Sequence, residues 1–253
     1  PYLRDCQERS IREASLCLCV SQTWEDFLQK QYPIEVYRVT NGVNTQRFSE
    51  ISNGQEAALK QRLGLQGAPI YLTIGGLEPR KNSIALLEAF AQVLRDFPEA
   101  QLVIAGGATL FDYQDYRETF FQRAEELGIS APALLLPGVI SDTDLPVLYR
   151  CADGFVFPSV KEGWGLVVME AIASGLPIVT ANQPPFTEFL SDAQACFVDP
   201  TNPQKIAEGM RTIAQPETAR RFVAASRTIP DQYSWASSAQ MHLQHYWKLL
   251  KMP

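Results

Sequence analysis

Histidine is almost missing from this chain. Only His242 and His245 occur among 253 residues, both near the C-terminal end, where surface or packing roles are expected of them rather than catalysis. Cysteine is sparse and odd in number: Cys6, Cys17, Cys19, Cys151 and Cys196. Cys17-x-Cys19 alternates along a strand-like run and has no second ligand pair, which argues against a metal framework and for reduced core thiols in a cytosolic protein. No apolar run reaches the roughly 18–20 residues that span a bilayer, and no signal-peptide pattern stands at the start of the chain, which begins at Pro1. Positive charge is short as well: 22 Lys and Arg against 28 Asp and Glu leave a net charge of −6, so a general nucleic-acid footprint is not expected. Aspartate-rich divalent sites, internal repeats and low-complexity segments are also lacking.

What remains is an ordinary globular composition, 46% hydrophobic and 20% charged, at a length that suits one large or two small domains. Residues 1–14 read as a polar helix, 15–20 (SLCLCV) as a strand, and Ser21 as the cap of a helix, followed by a short strand at 36–39 and a turn at Asn41-Gly42. From 44 to about 230 apolar strands alternate with helices. Strands are expected at 70–74, 102–105, 134–136, 154–158, 176–180 and 196–198. Helices are expected at 55–63, 83–97, 112–127, after Ser141, from 165 to 174, and near 203–213 and 216–228. Short connections between such elements give a doubly wound parallel α/β sheet. A last helix, 234–250, carries Trp235, Tyr246 and Trp247.

One stretch organises the rest: FVFPSVKEGWGLVVMEAIASGLPIVTA, residues 155–181. It reads strand, glycine-broken loop, helix, strand. Glu162 lies in the loop and Glu170 in the helix, among apolar neighbours Val167, Val168, Met169, Ala171 and Ile172. A carboxylate in such a run is on the helix's one wet face or in a site. Gly163 and Gly165 let backbone N–H groups approach an anion at the helix start. The bland alternative is a dipole-favoured acid at the helix N-terminus and a solvated one behind it. A second cluster follows the strand at 70–74: Gly75-Gly76-Leu77-Glu78-Pro79-Arg80-Lys81-Asn82. Two adjacent cations there suit a diphosphate, arginine as a fork and lysine as a point charge. A solvated basic turn is the plain reading of that pair alone.

Through its run PS-x-x-EGWGL-x-x-ME-A-x-A-x-G-x-P-I-V the chain resembles the retaining family-4 glycosyltransferases of the GT-B fold, whose E-x7-E region Glu162 and Glu170 match. The resemblance implies a Rossmann-like C-terminal domain at 44–232 that binds the nucleotide sugar. It further implies the tail of a Rossmann-like N-terminal domain and the crossing segment at 1–43, and a helix at 233–253 packing back toward that domain. Most of the N-terminal domain is thereby expected to be missing from this chain, and with it the acceptor site and the family's catalytic histidine. The reaction implied is transfer of a hexose from a GDP- or UDP-sugar to a hydroxyl of a saccharide or lipid-linked acceptor, with no cofactor and no metal.

By the same resemblance Glu162 stands near the sugar hydroxyls, and Arg80 and Lys81 neutralise the departing diphosphate. Glu170 accepts from the ribose hydroxyls, as a carboxylate with two acceptor oxygens can. Gly75 and Gly76 belong to the phosphate loop; Gly76 stands where some members carry arginine, so Arg80 is expected to serve there. Gly138 and Val139 present backbone to the base, Gly165 and Leu166 offer N–H groups to the phosphates, and Ser159 and Glu188 are placed near the pocket. A plain turn at 138–139, a strand-end cap at Ser159 and a helix-start acid at Glu188 are the competing readings. A binding or regulatory module without catalysis, or another GT-B enzyme such as a nucleotide-sugar epimerase, remains open as the alternative function. Peripheral membrane association is expected only through the missing domain, and self-association through an exposed aromatic patch on the last helix.

Overall fold

The computed structural model describes residues 2–107 and 113–250. It begins with a small unit: α1 (Tyr2–Arg12), β1 (Cys17–Cys19), α2 (Gln22–Gln31) and β2 (Val36–Arg38). β1 and β2 pair in parallel, Cys17 opposite Val36, and form a sheet of their own. α1 buries none of its residues. Cys6 is exposed, contrary to the core role expected of it, on a helix that buries none of its residues. Cys19 and Cys151 are buried, Cys17 and Cys196 half-buried, and all five thiols are free.

The chain then runs through α3 (Glu56–Leu63), β3 (Ile70–Ile74), α4 (Ser83–Val93), β4 (Gln101–Ala105), α5 (Gln114–Glu126) and β5 (Leu134–Gly138). It continues with α6 (Leu145–Cys151), β6 (Gly154–Phe157), α7 (Leu166–Ala173), β7 (Ile178–Ala181), α8 (Phe186–Phe189) and β8 (Cys196–Val198). It closes with α9 (Pro203–Ile213), α10 (Pro216–Ser226), α11 (Ile229–Gln232) and α12 (Trp235–Leu250). Asp112, expected to open a helix, lies outside the described residues. Ser141 caps a turn rather than the helix itself, its hydroxyl taking the Asp144 N–H at 3.1 Å, and α6 starts only at Leu145.

Six parallel strands stand in the order β5-β4-β3-β6-β7-β8. Their sequences, IYLTI, QLVIA, GFVF and IVTA among them, are nearly continuous apolar runs because both faces are covered. Alternate residues divide between the two cores. Leu72, Val103, Phe155 and Ile178 face the side of α6 and α7, while Tyr71, Leu102, Val156 and Val179 face α4 and α9. The winding changes direction between β3 and β6. Open α/β sheets bind ligands at the carboxyl ends of the strands flanking that point, so the loops after β3 and β6 are the ones to inspect.

Val43 and Ser234 meet in a single parallel bridge that joins the outgoing and returning segments. Beyond it α12 reaches the small unit, with the rings of His245 and Tyr37 4.3 Å apart. Trp235, Tyr246 and Trp247 on α12 are exposed. Among the described residues no helix is long and apolar enough to cross a membrane.

Candidate functional site

The turn after β3 closes as a single 3-10 turn, Pro79–Lys81, and delivers Arg80 and Lys81 toward the loop that follows β6. There Arg80 Nη1 lies 2.8 Å and Lys81 Nζ 2.6 Å from the same atom, Glu162 Oε1. Ser159, wholly buried, places its hydroxyl 3.1 Å from that oxygen and 2.7 Å from the Arg80 carbonyl. It thus ties the two loops together; so does the Val160 N–H, which donates to the same carbonyl at 2.9 Å. Lys81 also sits over the Phe157 ring, 4.3 Å from its centroid. Burial pushes the Lys81 ammonium below its usual range, while Glu162 pulls it back up. The result is a cation paired with Glu162 in a place of low polarity.

Two residues that build this cluster were not assigned a role from sequence. Glu78, 2% exposed, receives the Arg80 guanidinium on both oxygens, with Nη2 at 2.9 Å and Nε at 3.2 Å. Such a fork fixes the plane of the guanidinium. Asn82 takes a left-handed backbone, φ +60°, and its amide donates to the carbonyls of Pro158 at 3.2 Å and Pro200 at 2.6 Å, stapling the turn to the ends of β6 and β8. The sequence signal for Glu78 was an acid two places before a cation in a turn, which is too common to be read alone.

Gly165 stands before α7 with φ +97°, a conformation that glycine reaches at no steric cost. The N–H groups of Leu166 and Val167 open the helix and so have no partner within it. Trp164, 4% exposed, anchors this loop against Phe189 and Tyr233, with ring centroids 5.2 and 5.3 Å away. Gly163 lies 3.9 Å from Val20 of the small unit, measured from where a Cβ would stand.

Gly75 and Gly138 line a different space, a cleft of about 300 Å³ over the ends of β3, β4 and β5, with Gly106, Gly107, Phe121 and Leu136. Gly106 must lack a side chain, since a Cβ there would stand 2.3 Å from the Gly75 carbonyl carbon and 2.8 Å from the Gly76 nitrogen. Val139 is exposed at the rim. A second cleft, about 380 Å³, opens between α2 and the β6 loop and is lined by Thr23, Trp24, Phe27, Lys161, Glu162 and Gln183, among others.

Glu170 joins neither lining. It is half-buried on α7 between Met169 and Ala171, both wholly buried, and its Oε2 accepts from the Tyr149 hydroxyl at 2.8 Å. Burial pushes its carboxyl up; the Tyr149 bond, and Arg47 at longer range, pull it down. Glu188 serves the junction between the small unit and the main body. Its Oε2 accepts from the Gln22 N–H at 2.7 Å, and its Oε1 from the Thr23 N–H at 3.0 Å and hydroxyl at 2.9 Å. It thereby caps α2 across the chain, beside Ser21, which takes the Trp24 N–H at 3.4 Å. Among the described residues no group of three or more His, Cys, Asp or Glu is placed to hold a metal ion.

The chain has known relatives. The family model described as "Glycosyl transferases group 1" matches residues 55–228. Mannosylfructose-phosphate synthase of Agrobacterium fabrum is 29% identical over 75% of this chain and 42% of its own length. O-antigen chain mannosyltransferase B of Escherichia coli is 31% identical over 76% of this chain and 48% of its own. The chain thus spans about half the length of the curated relatives it matches. Among solved structures, Anabaena Alr3699/HepE in complex with UDP and glucose superposes with a TM-score of 0.85 at 22% identity, covering 99% of this chain and 67% of that one. That likeness shows the GT-B type of fold.

Proposed function

The chain belongs to the group 1 glycosyl transferases, and from that premise we propose that it forms the donor half of a retaining hexosyltransferase that binds a UDP- or GDP-sugar. One observation carries this reading: Arg80, Lys81 and Glu162 converge on one point at the carboxyl edge of the sheet, beside the N-terminus of α7 and at the change of winding. Preorganised cations and helix-terminal N–H groups are what a departing diphosphate needs, because its charge grows in the transition state. No divalent ion is required where side chains supply that charge, so transfer is expected to be insensitive to chelator. Glu162 would exchange its cations for sugar hydroxyls as the diphosphate takes them over. We assign the base to the cleft at Gly138 and the sugar to the cleft at Glu162, which are separate in the fold.

Retention, family-4 type and the acceptor rest on the resemblance of residues 155–181. The acceptor proposed is a saccharide or lipid-linked hydroxyl, reached together with chain beyond these residues, at the cytoplasmic side of a membrane or in the cytoplasm. The described residues alone are expected to bind donor nucleotide and to transfer little or no sugar; efficient transfer by the 253-residue chain would overturn that division of labour. A module that binds without catalysis is the competing reading, favoured only by the span of the chain. The test is calorimetric titration with UDP and with GDP, alongside Glu170→Ala and Arg80→Ala/Lys81→Ala. Saturable binding of one nucleotide, weakened in both variants, supports the proposal. Absence of binding to either nucleotide sinks it for this chain.

A further inference from the structure

Tyr149 is wholly buried on α6, its ring 5.7 Å from both Phe48 and Phe155. Phenylalanine would fill the same space, so packing does not explain the hydroxyl. A buried phenol needs a partner, and this one has a single proton with two acceptors in reach: Glu170 Oε2 at 2.8 Å and the Val167 carbonyl at 3.2 Å. The carbonyl is interior to α7 and is served by the helix ladder. The carboxylate is nearer and the stronger acceptor.

We propose that Tyr149 is the positioning residue of Glu170, fixing the plane of its carboxylate so that the remaining acceptor sites take the vicinal diol of a ribose. This rests on the donor reading above, in which Glu170 takes the ribose hydroxyls, and adds to it the residue that orients the carboxylate. A carboxylate oxygen accepts two hydrogen bonds, so Oε2 keeps one site and Oε1 two after the Tyr149 bond. Without that bond no hydrogen bond from the described residues holds the Glu170 carboxylate, and its rotamers would have to be ordered on binding. The bond also offsets the effect of burial, which otherwise favours the protonated form, a poorer acceptor for a diol.

The test is a thermodynamic cycle. Wild type, Tyr149→Phe and Glu170→Ala are titrated with UDP, GDP and their 2′-deoxy and 3′-deoxy counterparts. Wild type is expected to prefer the ribonucleotide about tenfold, the worth of one charge-assisted hydrogen bond. In Glu170→Ala that preference vanishes. In Tyr149→Phe it shrinks about three- to tenfold, while affinity for the deoxy ligand stays unchanged. Equal weakening of ribo and deoxy ligands in Tyr149→Phe would assign the hydroxyl to packing and overturn the inference. A preference lost in Glu170→Ala but intact in Tyr149→Phe would overturn it too, and leave the donor reading standing. No preference in wild type, or no nucleotide binding, would remove the donor reading and this inference together. A second readout needs no ligand: carbon-13 detected titration of the Glu170 carboxyl, assigned by difference against Glu170→Gln. Its midpoint is expected to rise in Tyr149→Phe, and an unchanged midpoint overturns the positioning role.

Discussion

Glu162 and Glu170 share one motif and live in opposite surroundings. Glu162 is surrounded by donors: two cations and a hydroxyl crowd around one oxygen. Glu170 has one phenol and a shell of apolar side chains. The difference lies in what each must give up. In the proposed function a diphosphate at Arg80 and Lys81 would compete with Glu162 for them, whereas a ribose at Glu170 would supply donors it lacks. On the donor reading proposed above, Glu162 resists the bare nucleotide and Glu170 attracts it, although only eight positions of sequence separate them.

The largest effect is expected where both sides of that contrast depend on the same groups. Arg80→Ala/Lys81→Ala should weaken UDP or GDP binding by about a hundredfold or more, because charge-assisted hydrogen bonds contribute about 1.5–3 kcal/mol each. Calorimetry at fixed salt measures it, and a loss under threefold would deny the diphosphate this place.

Glu170→Gln should weaken nucleotide binding by about three- to tenfold at neutral pH and at the same time raise the melting temperature. The sign follows from linkage. Burial raises the carboxyl of Glu170 in the fold, so the folded chain holds its proton to higher pH than the unfolded chain. That favours the fold below the unfolded value and is lost as pH rises through the folded one. At neutral pH the wild type thus carries the whole cost of the buried charge, and the variant does not. The melting advantage should fade as pH is lowered, and nucleotide binding by wild type should fall over the same range. A variant that melts lower at neutral pH would contradict the assignment.

Glu162→Gln inverts the contrast. It frees Arg80 and Lys81, so bare UDP or GDP should bind about three- to tenfold more tightly, with the gain shrinking for the sugar nucleotide, which loses its contact with Glu162. Weaker binding of the bare nucleotide would mean that Glu162 organises the cations instead of competing for them.

The smallest effect is expected at the junction. Glu188→Ala removes the cap on the first two N–H groups of α2, worth about 1 kcal/mol, or roughly 2–4 °C in melting temperature for a chain of this size. Differential scanning calorimetry would read it, and limited proteolysis should cut the small unit faster. An unchanged melting point would make the contact incidental.

Much of this was legible beforehand. The alternation of apolar runs and helical segments foretold the parallel sheet, since burial on both faces leaves a continuous apolar signature in each strand. Its boundaries moved by a few residues, as at α6 and β7, where turn chemistry competes with helix and strand. Glu162, Arg80 and Lys81 could be selected because the runs around them, at 158–179 and 75–82, resemble the family's motifs; spacing alone leaves each with a plain reading. Glu188 was placed near the donor pocket, yet its oxygens are spent on α2, more than 160 positions away in sequence. Glu78 and Tyr149 carried no usable local signal: an acid in a turn and a phenol in a helix have many ordinary uses.

The chain order by itself determined the fold class, because periodicity is a local property of the polymer, and its motif resemblance marked the cation turn and the two glutamates. Which oxygen of Glu162 receives both cations, that Glu78 locks Arg80, that Tyr149 holds Glu170 and that Glu188 caps a distant helix were decided only when β3 and β6 lay side by side. Hydrogen bonds act over about 3 Å, and nothing in the linear order says which groups will come that near.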